Sequence, residues 1–458
     1  MLTRVRIKGA DMYIGKVSAL LICLALAGGA QAQTGWKAGA AKVDITPAGP
    51  IWMAGYAKRD KTSEGIRKNI HVVALALQDE TGRTSVLMTF DLVKIGRDWG
   101  TAITDRCQKE FGLSRDHVVL NSSHSHSGPV TGYAAPYYLP LTPADVEVER
   151  RYTRELVDKS VEAVGQAIRN LSPATLEFGQ GLAAIAVNRR RVRLRSLPGP
   201  VDQDVPVLCV RGPNGELKVV VVGYACHATA LGDYQISADW PGYAKEEIEK
   251  AHPGAIALFV QGCGADANPL PRYQGTDPAM LHYSVELAQM YGKILAAAVE
   301  MELHEKMTPL VGPLRTAYET VDVPLRPASR EELQSALAGS DRLQSAAAKQ
   351  LLAQMDKDGK LPDQYPYPVE VWQFGKGLKF IALSGEVVVD YALRLKAQYG
   401  WDTTWVAGYS NDVFGYIPSV RVLREGGYEG GDANKDLGGP FGPAVEEIIV
   451  EKVGDMMK

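Results

Sequence analysis

The sequence predicts an α/β protein that folds as one large domain. Its composition is that of an ordinary globular protein, with 46% hydrophobic and 22% charged residues. Short apolar, β-branched runs alternate with longer segments of helical periodicity along the 458 residues, which is typical of the α/β class. No Ser/Pro/Gly-rich linker or internal repeat divides the chain, so we expect one domain rather than two or three.

Seven apolar runs are predicted as strands. Many of them are rich in β-branched residues and lack alternating polar positions, which indicates strands covered on both faces. The predicted strands are Val72–Leu77, Ser85–Phe90, His117–Asn121, Val219–Tyr224, Ala255–Val260, Val369–Phe374 and Phe380–Leu383.

Six segments are predicted as helices. Two of them carry clear start signals, since Ser329 precedes Glu331 and Glu332, and Pro278 lies near a first turn. The predicted helices are Trp99–Phe111, Glu147–Arg169, Gly242–Ala251, Pro278–Glu302, Arg330–Met355 and Pro443–Met457.

Residues 1–32 are predicted to be a signal peptide. Basic residues precede the apolar run Val17–Ala30, and Ala30-Gln31-Ala32 resembles a cleavage site, with Met12 as a second candidate start. The run is shorter than the ~20 residues of a membrane helix, so an uncleaved anchor is the less favoured alternative. We therefore expect residues 33–458 to be exported, periplasmic or extracellular, without a transmembrane anchor after cleavage.

Charge and cysteine content limit the partners and the crosslinks. Fifty basic residues stand against 53 acidic ones, which excludes a sequence-wide basic surface for nucleic acid. A small-molecule or lipid substrate is the expected partner, and no oligomeric state is predicted. Four cysteines follow the signal segment without a zinc-motif spacing, so one disulfide and buried free thiols are equally compatible with the sequence.

His124 and His126 directly follow a predicted strand. In an extended backbone, residues two apart point to the same side, so both imidazoles can face one point. The Ser-Gly-Pro sequence that follows turns the chain at the strand end, where α/β proteins place their sites. The pair predicts a metal site, and two hydrogen-bonded loop histidines are the structural alternative.

Two further residues share this setting at a strand end. His227 follows the run KVVVVGYAC, and Glu386 follows the run FIAL. Taken alone, His227 could be a structural histidine, and Glu386 could be a carboxylate near a helix start. Two histidines and one carboxylate with an open position are typical of catalytic zinc, so together these residues favour Zn²⁺.

Seven short motifs give the chain a resemblance to a known family, the neutral/alkaline, non-lysosomal ceramidases, over their N-terminal catalytic domain. The resemblance implies mixed β-sheets covered by helices in one catalytic domain. The motifs, in the family's order, are Ala41–Pro47 with Ala54-Gly55-Tyr56, His124–Pro129, Val187-Asn188-Arg189, Ala225-Cys226-His227, Ser237–Ala244, Ser384-Gly385-Glu386, and Asn411 through Tyr428.

The resemblance also implies roles for individual residues. The Zn²⁺ ligands carried over from the family are His124, His227, Glu386 and Tyr416. His126, Arg189 and Tyr428 are implied to donate hydrogen bonds to a substrate carbonyl or oxyanion. This assignment differs from the strand-end argument, in which His126 is a ligand as well.

The chain departs from the family at one expected catalytic position. The family carries a serine in a loop that corresponds here to Gly264–Pro269, and Ala267 aligns with that serine. We therefore expect zinc-activated water as the attacking group. Asp239 and Asp266 become candidates for the general base, for a partner of a ligand histidine, or for a substrate hydroxyl contact.

Taken together, these observations predict an exported zinc-dependent hydrolase that cleaves an amide (N-acyl) bond. One alternative keeps the zinc site and changes the substrate to a non-lipid ester, sugar-derived compound or glycoside. The other is a secreted protein that binds the metal without turnover.

Overall fold

The computed structural model describes residues 35–133, 136, 138–191, 199–272 and 281–458. The predicted signal peptide and the predicted helix start at Pro278 lie outside these residues. The strands are β1 (Trp36–Asp44), β2 (Gly65–Ile66), β3 (His71–Gln78), β4 (Thr84–Phe90), β5 (Val118–Ser122), β6 (Ser172–Leu182), β7 (Ala186–Asn188), β8 (Asp204–Arg211), β9 (Leu217–Tyr224), β10 (Gln235–Ile236), β11 (Ile256–Gln261), β12 (Ala267–Pro269), β13 (Thr308–Leu310), β14 (Leu314–Pro324), β15 (Gln364–Phe374), β16 (Leu378–Leu383), β17 (Glu386–Val387), β18 (Thr404–Ala407) and β19 (Tyr416–Ile417). The α-helices are α1 (Arg97–Phe111), α2 (Pro143–Arg169), α3 (Asp239–Ala251), α4 (Leu281–His304), α5 (Arg330–Ala338), α6 (Arg342–Asp358), α7 (Val389–Tyr399), α8 (Val420–Glu425) and α9 (Val445–Met456).

Two mixed sheets pack face to face between layers of helices. The larger sheet has the strand order β11-β9-β8-β6-β1-β3-β4-β5, with β13 also paired to β6, and the smaller has the order β14-β15-β16-β18. Parallel pairing occurs between β4 and β5, between β9 and β11, and between β16 and β18. An aromatic and aliphatic cluster that includes Phe178, Trp372 and Trp405 fills the space between the sheets.

The outer faces of both sheets are covered by helices. On the larger sheet, α1 and α2 bury side chains such as Trp99 and Leu156 against β3, β4 and β5. Helices α3 and α4 cover the β8, β9 and β11 end through residues such as Trp240 and Leu295. Helices α7 and α9 cover the smaller sheet. Strands β4, β5, β9 and β16 are buried on both faces, and apolar residues make up most of each sequence.

The predicted α/β class is confirmed, and all seven predicted strands are present with end positions shifted by a few residues. The single helix predicted over Arg330–Met355 is wrong. It is two helices, because α5 ends at Gly339 and Asp341 begins α6 by accepting hydrogen bonds from the backbone N–H groups of Leu343 and Gln344.

Cys107, Cys209, Cys226 and Cys263 are free and buried. The disulfide alternative is therefore wrong, and the thiols act as small apolar side chains within the core. Within the described ranges, no helix is long and apolar enough to cross a bilayer.

Candidate active site

The first histidine of the site is held by the residues that follow β4 and β5. His124 lies two residues after β5, and its Nδ1 donates to the carbonyl oxygen of Val93 at 2.6 Å. That bond fixes the tautomer and leaves the Nε2 lone pair free to bind a metal. The extended conformation expected for the His124–His126 segment is wrong, because His124 has a φ of +58°. The two rings are nevertheless neighbours, with centroids 4.7 Å apart.

His227 is positioned in the same way after β9. Its Nδ1 donates to the carbonyl oxygen of Gly264 at 2.8 Å, and the indole N–H of Trp240 donates to the His227 carbonyl at 2.9 Å. Burial, with a further contribution from the Arg189 charge, lowers the pKa of His227 to about 4. The imidazole is therefore neutral near pH 7, and its Nε2 lone pair is available.

The two oxygen donors come from the short parallel pair of β17 and β19, in which Glu386 lies opposite Tyr416. The Glu386 Oε2 atom lies 3.1 Å from His124 Nε2 and 3.5 Å from His227 Nε2. The Tyr416 hydroxyl oxygen is also 3.5 Å from His227 Nε2. These four side chains, which we call the four-donor cluster, bring two imidazole nitrogens, a carboxylate oxygen and a phenol oxygen together.

The electrostatics of the four-donor cluster fit a divalent cation. Burial acts to raise the pKa of Glu386, but His124 and His227 hold it well below its ordinary value, so the carboxylate is charged. Burial and the Glu386 charge raise the pKa of Tyr416 well above its ordinary value. A phenolate at that position therefore requires a cation beside it, and borderline-soft Zn²⁺ accepts this set of nitrogen and oxygen donors.

His126 stands beside the four-donor cluster. Its Nε2 is 3.1 Å from the Nε2 of His124, and its ring packs edge-on against Tyr56. Among the described residues its Nδ1 has no hydrogen-bond partner. The ligand atoms of His124, His126 and His227 all lie within 4.8 Å of one another, so the geometry permits His126 either as a third nitrogen ligand or as a donor to the substrate.

Arg189 reaches into the site from the segment after β7. Its NH2 donates to the Tyr416 hydroxyl at 3.2 Å, and its NH1 lies 3.3 Å from His227 Nε2. Glu429 anchors the guanidinium by accepting from Nε at 2.6 Å. Tyr428 packs edge-on against Tyr416 with ring centroids 5.2 Å apart and is 57% exposed, so its hydroxyl is accessible to a ligand.

Asp239 is fully buried behind His227. Its carboxylate accepts hydrogen bonds from the backbone N–H groups of Ala230, Leu231 and Trp240. Burial raises its pKa to about 6. These contacts fix the loop that follows His227. They favour a role for Asp239 in positioning His227 over a role as the general base.

Asp266 is also buried with both oxygens engaged. One oxygen accepts from the N–H of Val389 at 3.0 Å, and the other from the side chains of Asn188 at 2.8 Å and Arg421 at 3.3 Å. Its carbonyl accepts from the N–H of Arg189 at 2.7 Å. Asp266 therefore joins the segment that carries Arg189 to the start of α7, which again favours a positioning role.

A cavity of about 210 Å³ adjoins the four-donor cluster. One side carries His124, His126, Glu386, Tyr416 and Tyr428, and apolar side chains, among them Val93 and Phe414, line another part. A third part, which we call the charged wall, consists of Lys94, Asp432, Lys435 and Asp436. Neither Asp239 nor Asp266 is among the described residues that line this cavity.

Sequence reasoning missed Glu429 and the charged wall. Glu429 follows Tyr428 directly, and an acidic residue beside a candidate site tyrosine was an available signal for a partner of Arg189. The charged wall gives no such signal, because Lys94 and Asp436 are brought together only by the tertiary fold.

Comparison with known proteins decides the family. A model of the family "Neutral/alkaline non-lysosomal ceramidase, N-terminal" matches residues 36–269, about half of the chain. The chain belongs to this family of hydrolases. Neutral ceramidase A of Dictyostelium discoideum is 25% identical over 261 residues, which are 52% of this chain and 36% of that protein. Neutral ceramidase 2 of Arabidopsis thaliana is 24% identical over 229 residues, which are 46% of this chain and 29% of that protein.

The fold of this ceramidase-family chain agrees with that assignment. The crystal structure of neutral ceramidase from Pseudomonas aeruginosa superimposes with a TM-score of 0.73 at 21% identity, over 92% of this chain and 74% of that one. A structure of a ceramidase complexed with C2 gives a TM-score of 0.72 at 19% identity, with the same coverage. The aligned regions span only about a third of the length of the two curated relatives.

Proposed function

We propose that the protein is an exported, zinc-dependent amidohydrolase that cleaves an N-acyl amide with water. The observation that carries the proposal is the convergence of His124, His227, Glu386 and Tyr416 beside a cavity. Both histidines use Nδ1 as a donor to a carbonyl oxygen and keep Nε2 for a metal. Membership of a hydrolase family supports the reaction class.

The four-donor cluster is the site that would hold the metal. When bound there, Zn²⁺ supplies Lewis-acid polarisation of a carbonyl and makes water a better nucleophile near neutral pH. The hydrogen bonds from the two Nδ1 atoms orient the imidazoles before any ligand arrives, and such outer contacts commonly change metal affinity by about 10–100-fold.

Three side chains stabilise the negative charge that develops on the amide oxygen. Burial places the pKa of His126 well below its ordinary value, so the ring is neutral. The neutral ring can carry its single proton on Nε2, and this N–H group can donate a hydrogen bond to the amide oxygen of a substrate in the cavity. Arg189, whose pKa is raised because Tyr416 and Glu429 outweigh the effect of burial, keeps its charge, and Tyr428 adds a hydroxyl donor.

The reaction adds the oxygen of water to the acyl carbon, breaks the C–N bond and transfers both protons of that water to the leaving nitrogen, which yields a carboxylate and an ammonium group. Asp239 and Asp266 act as positioning residues in this reaction. Asp239 fixes the loop after His227, and Asp266 fixes the segment that carries Arg189. With Ala267 at the position of the family's serine, the attacking group is water rather than a side-chain hydroxyl.

The signal-like segment at residues 1–32 supports export. Amino-terminal sequencing of the protein secreted by an expressing cell tests this part of the proposal. A mature chain that starts near residue 33 supports it, whereas an intact amino terminus in the cytoplasmic fraction contradicts it.

Turnover of N-acyl substrates before and after chelation tests the chemistry. We expect activity to be lost with a strong chelator and restored by Zn²⁺ alone. Full turnover in the chelated protein contradicts the mechanism. Tight Zn²⁺ binding without hydrolysis of any amide, ester or glycoside indicates the binding-protein alternative.

A further inference from the structure

The charged wall bears on which N-acyl compound the site accepts. Lys94 follows Val93, whose carbonyl orients His124, so the wall begins next to a residue that holds the four-donor cluster in place. The wall continues through Asp432 and Asp436, which lie four and eight residues after Tyr428. The wall and the cluster line the same cavity, so a substrate whose amide lies at the cluster has these side chains within the same space.

The groups of the wall are available to a ligand. Among the described residues, the ammonium of Lys94 and the carboxylate of Asp432 have no hydrogen-bond or ion-pair partner, whereas Lys435 is paired with Asp341 at 3.1 Å. Asp436 is exposed to solvent, and its carboxyl group lies near the Lys94 ammonium. The wall thus presents an ammonium without a described ion-pair partner and two exposed carboxyl groups to the same cavity.

An alkyl chain placed against this wall would remove water from these groups without replacing their hydrogen bonds, which is unfavourable. An anionic ligand would meet two carboxyl groups, and a cationic ligand would meet Lys94. Hydroxyl groups both donate and accept, so they satisfy an ammonium and a carboxylate at once. The cavity volume of about 210 Å³ also lies below the roughly 300–1,000 Å³ of pockets for drug-sized ligands.

We propose that the preferred substrate is a small N-acyl amide of a hydroxyl-rich amine, with Lys94 and Asp436 binding its hydroxyl groups. This inference rests on the proposed amide hydrolysis and names its substrate class. Val93 and Phe414 provide an apolar surface for a short acyl group on the other side of the cavity. Lys94 is then a specificity-determining residue.

The test compares three amides with the full-length Zn²⁺-loaded protein: N-acetylglucosaminitol, N-hexylacetamide and a C16 ceramide in detergent micelles. We expect the highest kcat/KM for the polyol amide. Lys94→Met should lower kcat/KM for that substrate roughly tenfold more than for N-hexylacetamide, since a hydrogen bond to a charged group is lost. Lys376→Met, in the exposed turn between β15 and β16, is the matched control and should change neither value.

The outcomes separate the inference from the function on which it rests. Chelator-sensitive hydrolysis that is fastest on the C16 ceramide, with no change in preference in Lys94→Met, overturns the inference and leaves the amidohydrolase intact. Absence of hydrolysis of all three amides overturns both. A circular dichroism spectrum of Lys94→Met that matches the wild type ensures that a lost preference reflects binding rather than misfolding.

Discussion

The four-donor cluster and the charged wall line the same cavity but are built in different ways. His124, His227 and Tyr416 are at most 7% exposed, and the imidazoles of the two histidines are fixed by hydrogen bonds to backbone carbonyls. The wall lies on turns and short helical segments, where Asp432 and Asp436 are exposed. The comparison indicates that buried backbone contacts fix the four-donor cluster, whereas the proposed choice of substrate depends on a few residues at the surface of the cavity.

The largest expected effect comes from breaking the four-donor cluster. His227→Ala should abolish Zn²⁺ binding and reduce activity by roughly 10³-fold or more, because a metal ligand is lost. Metal content of the purified protein and kcat/KM measure this. His304→Ala, at the exposed end of α4, is the control and should keep both. A His227→Ala protein with full metal content would place the metal elsewhere.

The role of His126 is the next test, because it decides where the cluster ends. If His126 donates a hydrogen bond to the oxyanion, His126→Gln should lower kcat about 100-fold and leave the Zn²⁺ stoichiometry unchanged. Tyr428→Phe should likewise keep the metal. If His126→Gln loses Zn²⁺ instead, the histidine is a third nitrogen ligand, as the strand-end argument suggested.

Replacement of Asp266 tests whether this residue stabilises the fold near the four-donor cluster or acts as a general base. Asp266→Ala leaves the N–H of Val389 and the side chain of Asn188 without their partner, and we expect a loss of about 2–4 kcal/mol in the free energy of unfolding. Chemical denaturation measures it. Unchanged stability together with lost turnover would instead indicate a general base.

Asp239 should make the free energy of unfolding depend on pH. Its pKa is raised by burial to about 6 from 3.8, so folding favours the protonated form. The stability this provides is complete below pH 3.8 and is lost as the pH rises through 6. Relative to Asp239→Asn, the wild type should therefore lose up to about 3 kcal/mol between pH 4 and pH 7. Parallel stability curves of the two proteins would contradict this assignment.

The smallest effect is expected at the outer edge of the wall. Asp341 begins α6 and pairs with Lys435, and both contacts are solvent-exposed. Asp341→Ala should lower the thermal stability only slightly and change KM more than kcat. Thermal denaturation and steady-state kinetics measure both, and a kcat loss comparable with that of His126→Gln would show that the wall takes part in the chemistry.

The same contrast explains what the sequence could predict. Buried strands such as β5 and β9 contain continuous apolar runs that can be recognised in the sequence. His124 and His227 were therefore predicted as site residues because they directly follow these runs. Strand β14 was missed because it is half-exposed and mixed in pattern, and β17 and β19 because each has two residues. The break between α5 and α6 depends on Gly339 and Asp341, whose signals were masked by the helix formers around them.

The features that could not be predicted from the sequence are those that depend on contacts between distant segments of the chain. Nothing local indicates that His124 takes a left-handed conformation or that Tyr409 packs its ring against the His124 imidazole, with centroids 4.5 Å apart. Lys94 and Asp436 are separated by more than 300 residues and meet only across the cavity.

Anomalous diffraction at the zinc absorption edge is the most direct test of the central claim. We expect one peak at about 2.0–2.2 Å from His124 Nε2, His227 Nε2, a Glu386 oxygen and the Tyr416 oxygen. Crystals grown with Zn²⁺ that show no peak there, or one bound by other side chains, would contradict the assignment of this cluster as the catalytic metal site.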